Sequence, residues 1–189
     1  MPRFVLTGAP GAGKTAILRM LEWSGCAVVE EAATDVVAVA LALGRPHPED
    51  TAFLTAITAL QASRQLRAPG RGLVFFDRSP VCTLALARYL RLPVPAPLAA
   101  ELERAADVYE PVVFFVRNQG FVTPTAVRRI SLADSLAFER IHEHAYRELG
   151  FELIEVPAAP LTERVATILA AVGLPAWSEG GAKACRRSW

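Results

Sequence analysis

The chain has few cysteines, no long apolar run and almost no net charge, and each shortage excludes a class of protein. Cys26, Cys82 and Cys185 are the only cysteines among 189 residues, are widely spaced and form no CxxC pair. Neither a disulfide framework nor a zinc site is expected of them, and each reads as a buried or incidental thiol. No uninterrupted apolar stretch approaches the roughly 18 residues that a bilayer span needs, so no membrane partner is expected. The first apolar strand begins within three residues of Met1. That leaves no room for a signal peptide, and a cytoplasmic protein is the expectation. Net charge is +1, so no global field recruits nucleic acid, and anion binding has to be local. Internal repeats, low-complexity segments and linkers between separate cores are also missing.

What is present is 52% hydrophobic residues in short runs alternating with longer helical patterns. That alternation predicts an α/β fold, a parallel sheet covered by helices on both faces. Strands are expected at Phe4–Thr7, Ala27–Glu30, Leu73–Asp77, Val112–Arg117 and Glu152–Val156. Helices are expected near Lys14–Trp23, Ala32–Leu43, Asp50–Ala68, Pro80–Leu90, Pro97–Ala106, Leu132–Leu149 and Thr162–Val172. Ser79-Pro80 reads as an N-cap with proline at the first helical position, and Ser131-x-x-Asp134 as a capping box. Gly150 and Gly173 stop their helices. Residues 1–174 read as one domain and 175–189 as a loosely held tail.

The most specific signal is Gly8-Ala9-Pro10-Gly11-Ala12-Gly13-Lys14-Thr15, set after an apolar strand and running into a helix, with Ala16 next to it a further candidate for nucleotide contact. It is the phosphate-binding P-loop pattern. Bare glycines let successive backbone N–H groups at a helix start wrap an anionic phosphate, and the helix dipole adds to the attraction. In that pattern Lys14, read as an exposed loop lysine, reaches the terminal phosphates, and the Thr15 hydroxyl sits on Mg²⁺.

Three further stretches are candidates for chemistry. Leu73-Val74-Phe75-Phe76-Asp77-Arg78 puts Asp77 at the carboxyl edge of a strand, where it can hold Mg²⁺. Arg78 follows in place of a second acid, and suits a substrate or phosphoryl oxygen better than it suits activating water. Val28-Val29-Glu30-Glu31 ends another strand in acids. Either one can serve as the base of a phosphoryl transfer, and strand alternation allows only one of them into a cleft. The polar segment Arg117–Arg129, with Arg117, Arg128 and Arg129, reads as a lid over polyphosphate. His142 and His144 lie two apart, about 200° around a helix, and read as surface histidines rather than a metal pair. Arg45, His47, Gln61 and Arg64 fall where they could cap an acceptor, without a motif to support it.

Together, "FVLTGAPGAGKTAIL", "VVEEAATDVVA", "LVFFDRSP" and "FERIHEHAYRELGFELIEVP" resemble a family of small bacterial AAA-type predicted ATP/GTP-binding proteins. That family is similar to P-loop nucleoside and nucleotide kinases, including ribosylnicotinamide kinase. The resemblance covers about residues 3–172 and implies a three-layer P-loop NTPase fold with a five-stranded parallel sheet in the order 2-3-1-4-5. It also implies ATP or GTP with Mg²⁺ as cofactors, and Pro157 beside the adenine. The reading that follows is a small-molecule kinase. The alternatives are a stand-alone NTPase switch and a nucleotide-binding module without catalysis.

Overall fold

The computed structural model describes residues 1–70, 72–121 and 130–176. Arg128 and Arg129 of the expected lid, and residues 177–189 of the expected tail, fall outside these. The elements in chain order are β1 Arg3–Thr7, α1 Lys14–Trp23, β2 Ala27–Val29, α2 Ala33–Ala42, α3 Thr51–Arg67, β3 Val74–Asp77, α4 Pro80–Leu90, α5 Ala96–Glu103, α6 Ala105–Val108, β4 Val112–Val116, α7 Leu132–Glu148, β5 Glu152–Val156 and α8 Leu161–Ala171. The expected helix Pro97–Ala106 is two helices, with Arg104 ending α5 and opening α6. Two strands end one residue earlier than expected. β2 ends at Val29 and leaves Glu30 outside the ladder, and β4 ends at Val116 and leaves Arg117 outside it.

The five strands are all parallel, in the order β2-β3-β1-β4-β5. Parallel strands buried on both faces are made of continuous apolar runs, and Val74-Phe75-Phe76 and Val113-Phe114-Phe115-Val116 are wholly buried. Their side chains divide between two cores. Phe76 and Val113 face a core with α4 and α7 that includes Val81, Ala85, Phe138 and Tyr146. Phe75 and Phe114 face a core with α1 and α8 that includes Ile17, Leu21, Ile168 and Leu169. The period of two along each strand assigns alternate residues to the two layers. The result is a sheet between two helical layers.

The helix ends follow their local chemistry. Ser79 Oγ accepts from the Val81 N–H at 3.2 Å with Pro80 at the first helical position, and Ser131 Oγ accepts from the Asp134 N–H at 3.1 Å. Asp50 caps α3 through the Phe53 N–H at 2.8 Å. Gly150 and Gly173 leave their helices with positive φ. Cys82 is a buried free thiol, as expected, whereas Cys26 is disulfide-bonded, which corrects its reading as a thiol. Among the described residues no helix is long and apolar enough to cross a membrane.

Candidate active site

All five strands run the same way, so their carboxyl ends share one edge of the sheet, where doubly wound folds bind ligands. The loop after β1 turns back over this edge. Gly8 has φ +130, and a Cβ there would sit 2.3 Å from the Val116 carbonyl oxygen at the end of β4. Only glycine lets the backbone pass so close. Gly13, in the left-handed region at φ 87, caps α1 with no side-chain hydrogen bond, and the first turn of α1 has no acid. The N–H groups at that end are therefore open and their partial positive charge is not neutralised by the chain.

Lys14 is not the exposed lysine expected. It is 5% exposed, and its ammonium donates to the Gly8 and Ala9 carbonyls at 3.0 and 2.9 Å. Burial and then the charge of Arg78 lower its pKa to about 8, against the pull of Asp77 and Glu31. Ala9 and Ala12 are buried beneath the loop, Pro10, Gly11, Gly13, Lys14 and Thr15 line the cleft above it, and Ala16 is exposed at the start of α1.

Asp77 ends β3 in register with Leu6 of β1, beside the loop. It is 2% exposed, and its Oδ1 has no hydrogen-bond partner. Burial and then the neighbouring Glu31 raise its pKa to about 6, although Lys14 and Arg78 oppose this. A buried carboxylate oxygen without a partner is costly unless something cationic meets it. With the Thr15 hydroxyl, it fits the donor set of Mg²⁺, which takes one or two side-chain oxygens and completes its shell with phosphate and water.

Arg78 follows with φ 77, a left-handed conformation unusual for arginine. Gln61 of α3 donates to its carbonyl at 3.2 Å. The Arg78 Nε pairs with Glu31 Oε1 at 2.7 Å. Burial disfavours the charge of each partner, yet the pair outweighs it: Glu31 is held below the usual carboxylate range and Arg78 above the usual arginine value. Glu31 also accepts from the Thr34 hydroxyl at 3.1 Å. Of the two candidate bases, Glu31 lines the cleft. Glu30 turns outward, half exposed, and pairs with Arg19.

Arg117, expected in the lid, is committed elsewhere. It pairs with Glu139 and Glu143 of α7 at 3.2 and 3.0 Å and with Glu155 of β5, and lies 4.5 Å over the Phe115 ring. It is not among the residues that line the cleft, and neither is Pro157, which follows β5 directly. His142 corrects its reading as a surface histidine: it is fully buried, while His144 is exposed and near Glu148. The His142 Nδ1–H donates to the Phe138 carbonyl at 2.9 Å, which leaves Nε2 to accept from Arg78 Nη1 at 3.2 Å. Burial and then the charge of Arg78 push the His142 pKa down to about 3, so the ring stays neutral.

Several supporting residues had no legible motif. Ser135 of α7 donates to the Pro10 carbonyl at 2.9 Å, tying that helix to the phosphate loop. Arg164 of α8, 1% exposed, donates to the Ala12 and Arg117 carbonyls at 2.8 and 3.0 Å. Of the residues that could cap an acceptor, His47 and Gln61 reach the cleft. Arg64 is tied to Asp35 and to the Glu31 carbonyl. The cleft holds about 660 Å³ and runs from the phosphate loop past Glu31 and Arg78 to a wall of α2, α3, α4 and α7 side chains.

A family model of the AAA domain matches residues 3–164. The chain belongs to this AAA-domain family. No curated protein matches it. Among solved structures, this AAA-domain chain is similar to deoxyadenosine kinase from M. mycoides with the products dCMP and dCDP bound. That likeness has 13% identity, 90% coverage of this chain and 98% of the other, and a TM-score of 0.59. It is similar to NadR in complex with NR at 16% identity and a TM-score of 0.66, over 94% of this chain and 51% of the other, so the AAA-domain chain spans about half of NadR. Shikimate kinase from Acinetobacter baumannii in complex with shikimate has 18% identity and a TM-score of 0.54, with 91% and 93% covered. At these identities the likeness is one of fold, and the fold is that of P-loop kinases.

Proposed function

We propose that the chain is an ATP- or GTP-dependent kinase that moves the γ-phosphoryl group to a hydroxyl or phosphate oxygen of a nucleoside-like or other small metabolite. One observation supports this most: the phosphate loop and the half-buried Glu31–Arg78 pair open into the same cleft, and apolar side chains form its far wall. A phosphate cradle alone would serve any NTPase. A carboxylate held ionised a short way from the cradle, with an arginine at its side, is what transfer to an acceptor requires.

In this reading the open N–H groups of Gly11 and of residues 13–16 hold the β- and γ-phosphates, and Lys14 swings from the Gly8 and Ala9 carbonyls to the transferring group. Thr15 and Asp77 would hold Mg²⁺, which when bound draws charge from the β- and γ-oxygens. Glu31 takes the acceptor proton as the oxygen attacks the γ-phosphorus, the bond to the bridging oxygen breaks, and the nucleoside diphosphate departs. Arg78 steadies both Glu31 and a phosphoryl oxygen. Arg128 and Arg129 remain candidates for the lid, Glu30 and Arg117 do not face the reaction, and Pro157 remains a candidate adenine contact. The kinase unit is residues 1–174, with 175–189 outside it.

Glu31→Gln keeps the size of the side chain and removes the base. We expect transfer to fall by about 10²–10⁴-fold with nucleotide affinity nearly unchanged, measured by product formation and by titration of nucleotide. Equal loss of both would assign Glu31 to nucleotide binding. A kinase consumes ATP only with its acceptor present. Slow acceptor-independent hydrolysis, with partner binding that changes between the ATP and ADP states, would instead support the switch.

A further inference from the structure

The acceptor half of the cleft is largely hydrocarbon. Val37, Phe53, Ile57, Leu86, Tyr89 and Phe138 line it, and the Tyr89 and Phe138 rings lie with centroids 4.8 Å apart. Such a wall receives a planar or apolar body and disfavours a strongly hydrated one. Among the described residues, the charged groups that line this half, away from the floor, are the exposed acids Glu49 and Asp134, with His47 beside them. A second anion entering here meets carboxylates.

The one arginine that lines the cleft among the described residues is already engaged. Arg78 Nε pairs with Glu31 at 2.7 Å, and its Nη1 faces both His142 Nε2 at 3.2 Å and the Gly8 carbonyl at 3.5 Å. The His142 ring cannot turn to release it, because its Nδ1–H is held by the Phe138 carbonyl at 2.9 Å. With Nη1 taken by His142 and the Gly8 carbonyl, and with the Glu31 carboxylate lying against Nε as an ion pair without a hydrogen bond there, the guanidinium has no free two-pronged edge to give a phosphate dianion. It can still offer a single hydrogen bond to a neutral oxygen.

We infer that the acceptor is an uncharged alcohol with a planar or apolar body, and that the site rejects phosphate monoesters. The inference rests on the kinase reading of the same cleft. In the step, the alcohol oxygen forms the new bond to the γ-phosphorus, its proton passes to Glu31, and the nucleoside diphosphate leaves. His142 is then a positioning residue: by occupying Arg78 Nη1 it sets the preference for the neutral acceptor.

The test uses the full chain with Mg-ATP and matched probes, namely a set of nucleosides and benzylic alcohols, each beside its own phosphate monoester. Transfer is followed by ³¹P NMR. The expected result is transfer to at least one free alcohol with an efficiency at least ~100-fold above that for its monoester. A monoester used as well as its alcohol, or better, overturns the inference and leaves the kinase reading standing. No transfer to any probe, with Mg-ATP bound by calorimetry, overturns both. In His142→Leu the freed Nη1 should narrow the preference at least ~10-fold. His142→Gln, whose amide oxygen can accept at the Nε2 position, should restore it. A merely structural role would lower both activities together and leave the ratio unchanged, and that result would overturn the part assigned to His142.

Discussion

Lys14→Met should abolish phosphoryl transfer while making the nucleotide-free protein more stable at neutral pH. The two effects share one cause. The Lys14 ammonium is buried, and it donates to the Gly8 and Ala9 carbonyls, two neutral acceptors for a full charge. Its pKa of about 8 lies below the usual 10.5, so the folded protein holds the proton less firmly than the unfolded chain does. For a lowered pKa, stability is lost as pH falls from the unfolded value through the folded one. At pH 7 the wild-type protein therefore bears nearly the whole penalty, on the order of 3 kcal/mol at about 1.4 kcal/mol per pKa unit. Methionine fills similar space without the charge but gives up two hydrogen bonds, so a net gain of about 1–2 kcal/mol is expected. That gain should shrink as pH rises from about 8 to 10.5. Transfer should fall by at least about 10³-fold, because Lys14 is the cation of the phosphate loop itself and Arg78, held by Glu31, does not take its place on the moving phosphoryl. Denaturant titration across pH, together with product formation, checks both halves. Lost stability at pH 7 with transfer retained would reject the role of Lys14.

Asp77→Asn should have the same double effect with the opposite pH dependence. The Asp77 pKa is raised from 3.8 to about 6, so the proton binds more tightly in the folded state. Stability from a raised pKa is complete below the unfolded value and is lost as pH rises through the folded one. Above pH 6 the ionised Asp77, with its orphaned Oδ1, holds the nucleotide-free fold back by about 3 kcal/mol on the same conversion. The amide that replaces it carries no such charge. The variant should melt higher at pH 8 and gain nothing below about pH 4, where wild-type Asp77 is protonated as well. Its Mg²⁺-dependent nucleotide affinity should drop by about 100-fold. Melting curves at pH 4 and pH 8, paired with nucleotide titrations with and without Mg²⁺, read both effects. A metal requirement unchanged in the variant would remove Asp77 from the metal site.

Both residues carry a charge that burial disfavours, and both stand in stretches that the sequence marks on its own. The phosphate loop is a local motif, in which residue types at fixed spacing dictate a backbone path whatever lies around it. The strand order came from the resemblance rather than from the pattern of apolar runs, which fixes alternation but not neighbours. The pair Glu30-Glu31 shows where local reasoning stops. Two adjacent acids after a strand point to opposite sides, but which one turns inward depends on Arg78, far away along the chain, and on Arg19 of the preceding helix. The His142 reading failed for the same reason. Spacing correctly separated it from His144, yet nothing within α7 says that the buried partner of its ring is an arginine at the end of β3. Arg117 looked like a lid arginine because the three carboxylates that claim it come from α7 and β5. Ser135 and Arg164 form bonds to the phosphate loop across 125 and 152 residues of chain, a separation no local pattern reports.

The central claim is that open main-chain amides at the start of α1, with Lys14 and a metal held by Thr15 and Asp77, bind a nucleoside triphosphate. Isothermal calorimetry of the full chain with ATP and with GTP, each with and without Mg²⁺, tests it most directly. The account predicts saturable heat at one site per chain for at least one of them, strongly weakened when Mg²⁺ is left out. A well-folded protein that gives no binding heat with either triphosphate in the presence of Mg²⁺ would contradict it.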